Sequence, residues 1–229
     1  MNGIFLDIGW TLCYPPSGDW LFSNECSRYI DKNVLNSIPK ERLESAYSRA
    51  LQFLDDNHLV LTEKDEFTQF TAYYGMLADS LPELGLSEKS IEEMTEDKVY
   101  NTSNYTFYDD VIPVLLQLKE KYKLGIISDT WPSMKRVLEN FGIYNYFDSI
   151  TFSCNLGVLK PNGMMYEHAI RSLGLPPEET VFVDDTIDNL KGAGTYGIVS
   201  MLIERDNYPR KQPQTQFRSI SSLSELIGI

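Results

Sequence analysis

The chain opens on a short apolar run, Ile4-Phe5-Leu6, that ends in a carboxylate, Asp7, with a glycine, Gly9, two residues on. An apolar run closed by turn residues reads as a buried strand, with the carboxylate at its carboxyl end. The same texture returns in the second half. Apolar runs at 124–128, 149–153, 180–184 and 198–203 alternate with helix-periodic stretches at 111–122, 133–141, 164–173 and 186–193, and 222–227 reads as a closing helix. Strands alternating with helices of about ten residues predict βαβ units and a parallel sheet.

Residues 17–106 are patterned differently. Helical periodicity runs through 23–35, 40–57, 63–84 and 87–101 with no convincing strand between them. Pro39, Pro82 and Gly85 punctuate these segments, and Ser87 followed by Ser90-Ile91-Glu92 suits a helix start. Four helices are too many for an ordinary strand-to-helix connection. The expectation is an α/β core formed by residues 1–16 and 107–229, interrupted by an all-helical insertion at 17–106. The polar stretch 206–217 is expected to be a surface loop.

Composition narrows the function classes. The 229 residues carry 33 acidic against 20 basic side chains, a net charge of −13. That balance argues against nucleic acid, whose phosphates need clustered Lys and Arg, and against docking on an anionic membrane surface. No apolar run approaches the ~20 residues of a membrane span. The three cysteines, Cys13, Cys26 and Cys154, show no paired metal spacing and are expected as buried thiols of a reducing compartment. A cytoplasmic location is the expectation.

Candidate chemistry falls at the carboxyl ends of the predicted strands: Asp7, then Ser128 and Asp129, then Asp184-Asp185, with Lys160-Pro161 in a loop before a helix. Each has an ordinary reading. Asp7 and the Asp184-Asp185 pair suit helix caps or turns, Ser128-Asp129-Thr130 suits a turn, and a loop lysine is usually solvated. Together they are less ordinary, because a parallel sheet brings these ends to one edge, where open α/β sheets bind ligands. Clustered carboxylates repel unless a cation joins them, and Mg²⁺ suits, being held by one or two carboxylates, waters and phosphate oxygens. Asp7 could then attack phosphorus as a nucleophile, while Ser128 and Lys160 hold the phosphoryl oxygens.

In this order the motifs resemble those of the haloacid dehalogenase-like superfamily, most of whose members are Mg²⁺-dependent phosphatases. Asp7-Ile8-Gly9-Trp10-Thr11 is similar to its first motif, DxDxT or DxDxV, and Ile126-Ile127-Ser128 to its second. Lys160 in Val158-Leu159-Lys160-Pro161 is similar to the third, and Val181-Phe182-Val183-Asp184-Asp185 to the fourth. The resemblance implies a Rossmann-like parallel-sheet core with a C1-type helical cap, acting on a small phosphorylated metabolite. It further implies Asp7 as nucleophile and metal ligand, Gly9 as a carbonyl ligand, and Asp185 as the main fourth-motif ligand. Asp184 would stand beside it directly or through water, with Ser128 and Lys160 on the phosphoryl group. Asp188 reads as a helix-surface carboxylate. Trp10, Thr11, Trp20 and Asp129 are expected on the substrate side, the two tryptophans flanking the hinge into the cap.

Gly9 departs from the motif. The family's phosphatases usually carry there a second Asp that serves as general acid and then general base, help worth typically 10²–10⁴-fold. Its loss implies one of three things: a substrate with a good leaving group, a proton supplied from the cap by Asp19, His58 or a tyrosine, or a weak or non-catalytic phosphate-binding relative. The acidic pair argues against dehalogenation, since the family's dehalogenases lack it. Phosphonate cleavage would need a cap lysine, for which Lys32, Lys40 and Lys64 are candidates unless each is simply solvated. His168 reads as a surface residue and His58 as structural.

Overall fold

The computed structural model describes residues 1–208 and 215–229. Its strands are β1 (Gly3–Leu6), β2 (Cys13–Tyr14), β3 (Thr106–Phe107), β4 (Lys123–Ser128), β5 (Ser149–Phe152), β6 (Thr180–Asp184), β7 (Val199–Ile203) and β8 (Arg218–Ile220). Its α-helices are α1 (Lys32–Ser37), α2 (Lys40–Asp56), α3 (Glu63–Ser80), α4 (Glu88–Tyr100), α5 (Val111–Leu118), α6 (Met134–Asn140), α7 (Ser153–Leu156), α8 (Gly163–Leu173) and α9 (Ile187–Thr195).

Among the described residues six strands form one parallel sheet in the order β5-β4-β1-β6-β7-β8. β1 lies in the middle, Leu6 pairing with Ile126 on one side and Val183 on the other. A sheet covered on both faces requires strands that are apolar throughout. Ile4, Leu6, Ile126, Val181 and Val183 pack under Val114, Leu115, Val137 and Leu138 of α5 and α6. Phe5, Ile127 and Phe182 face the opposite layer, with Met165, Ala169, Leu190 and Ala193 of α8 and α9. The result is an α/β/α core with the carboxyl ends of β1, β4 and β6 at one edge.

Helices α1 to α4 build a second apolar cluster around Ala50, Phe70, Tyr73, Tyr74, Leu77 and Met94. Ser87 caps α4 through the Ser90 amide, and Thr62 caps α3 through the Asp65 amide. The chain enters and leaves this block through a two-stranded antiparallel ribbon, Cys13 opposite Phe107 and Tyr14 opposite Thr106. Arg205, buried, pins the ribbon's approach by donating to the Thr11 carbonyl at 2.8 and 3.2 Å while pairing with Asp110 at 2.8 Å.

Several expectations need correction. The helix expected at 23–35 is a 3₁₀ turn, Asn24–Arg28, followed by α1, because the Asp31 carboxylate accepts from the Asn33 amide and starts a new helix. The helix at 63–84 stops at Ser80, where Pro82 opens a separate 3₁₀ turn. The closing helix is a 3₁₀ turn, Leu223–Leu226, held by a Ser222/Glu225 capping box. β8 follows the polar stretch, of which 209–214 lie outside the described residues. No helix among the described residues is long and apolar enough to cross a membrane.

Candidate active site

The end of β1 turns sharply. The Ile8 carbonyl accepts from the amides of Leu12 and Cys13, and the Trp10 amide donates back to the Cys13 carbonyl at 2.7 Å. This leaves Trp10 at φ +53°, a left-handed conformation costly for a bulky side chain. The indole is held by rings on three sides: Tyr14 at 6.1 Å, Trp20 at 5.9 Å and Tyr208 at 5.7 Å between centroids. The turn thereby fixes Asp7 at the sheet edge, 5% exposed.

Lys160 reaches this carboxylate from the loop before α8. Its Nζ donates to Asp7 Oδ1 at 2.6 Å, to Asp184 Oδ2 at 2.7 Å and to the Ile127 carbonyl at 3.2 Å. Its amide donates to Asp129 Oδ1 at 2.9 Å. Burial pulls the ammonium's pKa down, but Asp184, Asp7 and Asp129 outweigh it and hold Lys160 well above the ordinary lysine range. Asp184 is fully buried and fully engaged. Oδ1 accepts from the Thr186 amide at 2.6 Å and from Asn189 at 3.2 Å, and Oδ2 also accepts from Asn189 at 3.1 Å. It therefore orients Lys160 and the β6–α9 turn, and does not reach the cavity wall.

Asp7, Gly9, Trp10, Trp20, Lys98, Tyr105, Ser128, Asp129, Trp131, Lys160 and Asp185 are among the residues lining one cavity of about 370 Å³ between the sheet edge and the helical block. Ser128, at the end of β4, is 2% exposed and lines the same cavity. Burial, reinforced by Asp184 and opposed by Lys160, raises Asp7 to about 7. Asp185 rises to about 8 through burial and the charges of Asp184 and Asp7, against the Tyr208 hydroxyl that hydrogen-bonds it. Three buried carboxylates and a fourth at the rim thus surround the Lys160 ammonium, an excess of negative charge that a cation would relieve.

The donor set fits Mg²⁺ in a reduced form. No group of three or more His, Cys, Asp or Glu side chains able to hold a metal occurs among the described residues. Asp184, expected as a ligand, is committed elsewhere. Asp7, Asp185 and the Gly9 carbonyl remain, and two carboxylates suffice for an ion that keeps waters and phosphate oxygens in its shell.

Other expected residues are dispersed. Thr11 is fully buried away from the cavity wall, its hydroxyl without a partner among the described residues. Asp19 is exposed and accepts from the amides of Leu21 and Phe22. His58 is buried against Ser153 Oγ at 2.6 Å, and Asp188 is an exposed partner of Lys191. Lys32, Lys40 and Lys64 are all exposed and outside the cavity. His168, expected at the surface, is half-buried and hydrogen-bonds Thr151 at 2.9 Å. The lysine of the helical block that does line the cavity is Lys98. Its signal in the sequence was its position on the stripe Ile91, Met94, Thr95, Lys98, where the neighbouring residues turn inward.

Gly9 also acquires a steric reason. A Cβ at this position would lie 3.3 Å from Cζ2 of Trp20 and 3.8 Å from Asp7 Oδ2. Trp20, from the start of the helical block, would have to give by a few tenths of an ångström to admit a side chain here.

Comparisons with known proteins identify the family. A family model described as haloacid dehalogenase-like hydrolase matches residues 23–197. A glyceraldehyde 3-phosphate phosphatase of Methanopyrus kandleri is 37% identical over 114 residues, 47% of this chain and 47% of that protein. The match thus spans about half the length of that relative. Among solved structures, a haloacid dehalogenase-like (HAD) phosphatase from Thermococcus onnurineus superposes with a TM-score of 0.66 at 22% identity, covering 99% and 96% of the two chains. The L-2-haloacid dehalogenase of Xanthobacter autotrophicus gives 0.65 at 19% identity over 99% and 96%. These two likenesses establish the fold and leave the choice of reaction to the site.

Proposed function

We propose, from the premise that this chain belongs to the haloacid dehalogenase-like hydrolases, that its strand-end site hydrolyses a small phosphate monoester through Asp7. Residues 1–16 and 107–229 would form the catalytic core and 17–106 the cap over it. One observation carries the reading: Lys160 fixes Oδ1 of Asp7, while among the described residues nothing hydrogen-bonds Oδ2.

On this reading Asp7 Oδ2 attacks phosphorus, the ester oxygen leaves, and an aspartyl-phosphate forms. The Ser128 hydroxyl donates to a non-bridging oxygen as charge builds there, and the Lys160 ammonium neutralises that charge, turning a donor from the Ile127 carbonyl to the phosphoryl group. Water then cleaves the acyl phosphate, releasing phosphate and restoring Asp7. Mg²⁺, held by Asp7, Asp185 and the Gly9 carbonyl, would neutralise phosphoryl charge. Asp184 holds Lys160 in place from behind.

Gly9 offers the leaving oxygen no proton, and Trp20 crowds the position a side chain would start from. Substrates with acidic leaving groups are therefore favoured, because general acid help matters least for them. The acidic pair Asp184-Asp185 separates the site from a dehalogenase. The names of the matched relatives support a small phosphoester. The glycine favours a second reading, a phosphate-binding protein with little turnover. Hydrolysis of p-nitrophenyl phosphate decides between them. Turnover that requires both Mg²⁺ and Asp7 is expected, and an inert wild type, or an Asp7→Asn variant of undiminished activity, removes the enzymatic reading.

A further inference from the structure

Three cations are buried among the described residues: Lys98, Lys160 and Arg205. Two have carboxylate partners, Lys160 with Asp7 and Asp184, and Arg205 with Asp110. Lys98, on α4, forms no ion pair among the described residues although only 8% of it is exposed. Its Nζ lies 3.5 Å from the Tyr105 hydroxyl and 4.9, 5.5 and 5.9 Å from the ring centroids of Phe70, Trp131 and Tyr105. Ring faces attract a cation but satisfy none of its directional donors as a carboxylate would. The Glu66 carboxylate feels this charge, yet its two oxygens are engaged by the Ser133 amide at 2.8 Å and the Ser133 hydroxyl at 2.7 Å. A buried ammonium with donors to spare thus forms part of the wall that also carries Asp7, Ser128 and Lys160.

Phosphoryl transfer does not require this charge, and Glu66, whose buried carboxylate it stabilises, accepts no hydrogen bond from it. Burial of an ammonium with no carboxylate in hydrogen-bond contact is expensive, and an anion entering the cavity would offset that cost. We propose that Lys98 is a specificity-determining residue whose ammonium receives a second anionic group, carboxylate or phosphate, on the far end of the substrate. The inference rests on the phosphatase reading and names its substrate class, a short phosphate monoester with a second anion, read as a ratio within pairs of like leaving group so that the proton missing at Gly9 weighs equally on both members. The volume of about 370 Å³ suits a chain of a few carbons, at the small end of ligand cavities. Trp20, Tyr105 and Trp131 would cover that chain. A neutral-tailed ester would leave the ammonium buried and unpaired, so discrimination comes from a penalty as well as from an attraction.

Matched substrates test this. 3-Phosphoglycerate and glycerol 1-phosphate differ by a carboxylate in place of a hydroxymethyl group, and propanediol bisphosphate differs from propyl phosphate by a second phosphate. Wild-type kcat/KM is expected to favour one bis-anionic member over its neutral counterpart by about tenfold or more, the weight of one charge-assisted hydrogen bond. The favoured pair identifies the second anion as carboxylate or phosphate. Lys98→Met is expected to collapse that ratio, mainly through KM, and Lys98→Arg to retain most of it. Equal losses on both members of each pair would make Lys98 a structural partner of Glu66 and overturn the proposal, as would a wild type with no bis-anionic preference. Should Lys98→Met not fold, competition against p-nitrophenyl phosphate in the wild type and Lys98→Arg serves instead. Phosphonopropionate must then inhibit more tightly than propylphosphonate, and equal inhibition overturns the assignment. Asp7-dependent turnover of p-nitrophenyl phosphate without bis-anionic preference refutes this inference alone. Absence of all turnover refutes it together with the phosphatase reading.

Discussion

Removing divalent cations should make the stability of this protein fall as pH rises through neutrality, and Mg²⁺ should restore it. Burial raises Asp7 from an ordinary 3.8 to about 7 and Asp185 from 3.8 to about 8. Between the ordinary and the raised value the folded state holds a proton that the unfolded chain has released. Stability from each group is therefore greatest on the acid side and is lost as pH climbs toward the folded pKa. Each such group contributes a slope of about 1.4 kcal/mol per pH unit, so Asp7 alone accounts for about 3 kcal/mol between pH 5 and pH 7. Asp185 adds in the same direction, less than additively because the two share Asp184 and Lys160 as neighbours. His58 and His168, both lowered by burial, act in the opposite sense. The decisive quantity is thus the difference between wild type and Asp7→Asn. Urea unfolding followed by tryptophan fluorescence, at pH 5 to 8 in EDTA and in Mg²⁺, measures it. The wild type in EDTA should lose more stability across this range than Asp7→Asn, and Mg²⁺ should stabilise it more at pH 8 than at pH 5. Parallel pH profiles for the two proteins, or a Mg²⁺ effect equal at both ends, would refute the charge-excess argument.

Lys160→Met leaves Asp7 and Asp184 buried without their cation; a loss of about 3–5 kcal/mol at pH 8 is expected by urea unfolding, with hydrolysis abolished. Ser128→Ala removes one phosphoryl donor and should lower kcat/KM by about 10- to 100-fold with little change in stability. Gly9→Asp alone should not accelerate alkyl phosphates, because its Cβ already meets Trp20 at 3.3 Å. Gly9→Asp with Trp20→Phe should gain about 10²-fold on the same substrates, the lower range of general acid help. An equal gain in the single variant would show that Trp20 is not the obstacle.

How much was legible in the sequence follows from where each residue's constraint lies. β1, β4 and β6 are legible because central parallel strands are apolar on both faces, and their terminal Asp7, Ser128 and Asp184 stand out against that background. β8 is not, since only Ile220 of its three residues is buried, and β2 and β3 are two residues each, too short for a period. Asp31 divides one expected helix in two by a local hydrogen bond that periodicity does not register. At the site, the glycine at position 9 is visible in the chain, but its crowding by the indole of Trp20 is a tertiary contact. Asp184 and Asp185 read alike as letters and part company only when Thr186 and Asn189 close around the first. The expected cap lysines 32, 40 and 64 lie on exposed faces, while Lys98, which the sequence reading passed over, interrupts a buried stripe, a conflict between residue type and position that only burial makes plain.

The central claim is that Asp7 carries the phosphoryl group. Acid-quenching the protein during turnover of radiolabelled p-nitrophenyl phosphate with Mg²⁺, followed by peptide mapping, tests it most directly. A hydroxylamine-labile phosphate on the peptide containing Asp7, absent from Asp7→Asn, is the predicted result. Release of nitrophenol by the wild type with no label on Asp7, and continued release by Asp7→Asn, would contradict it.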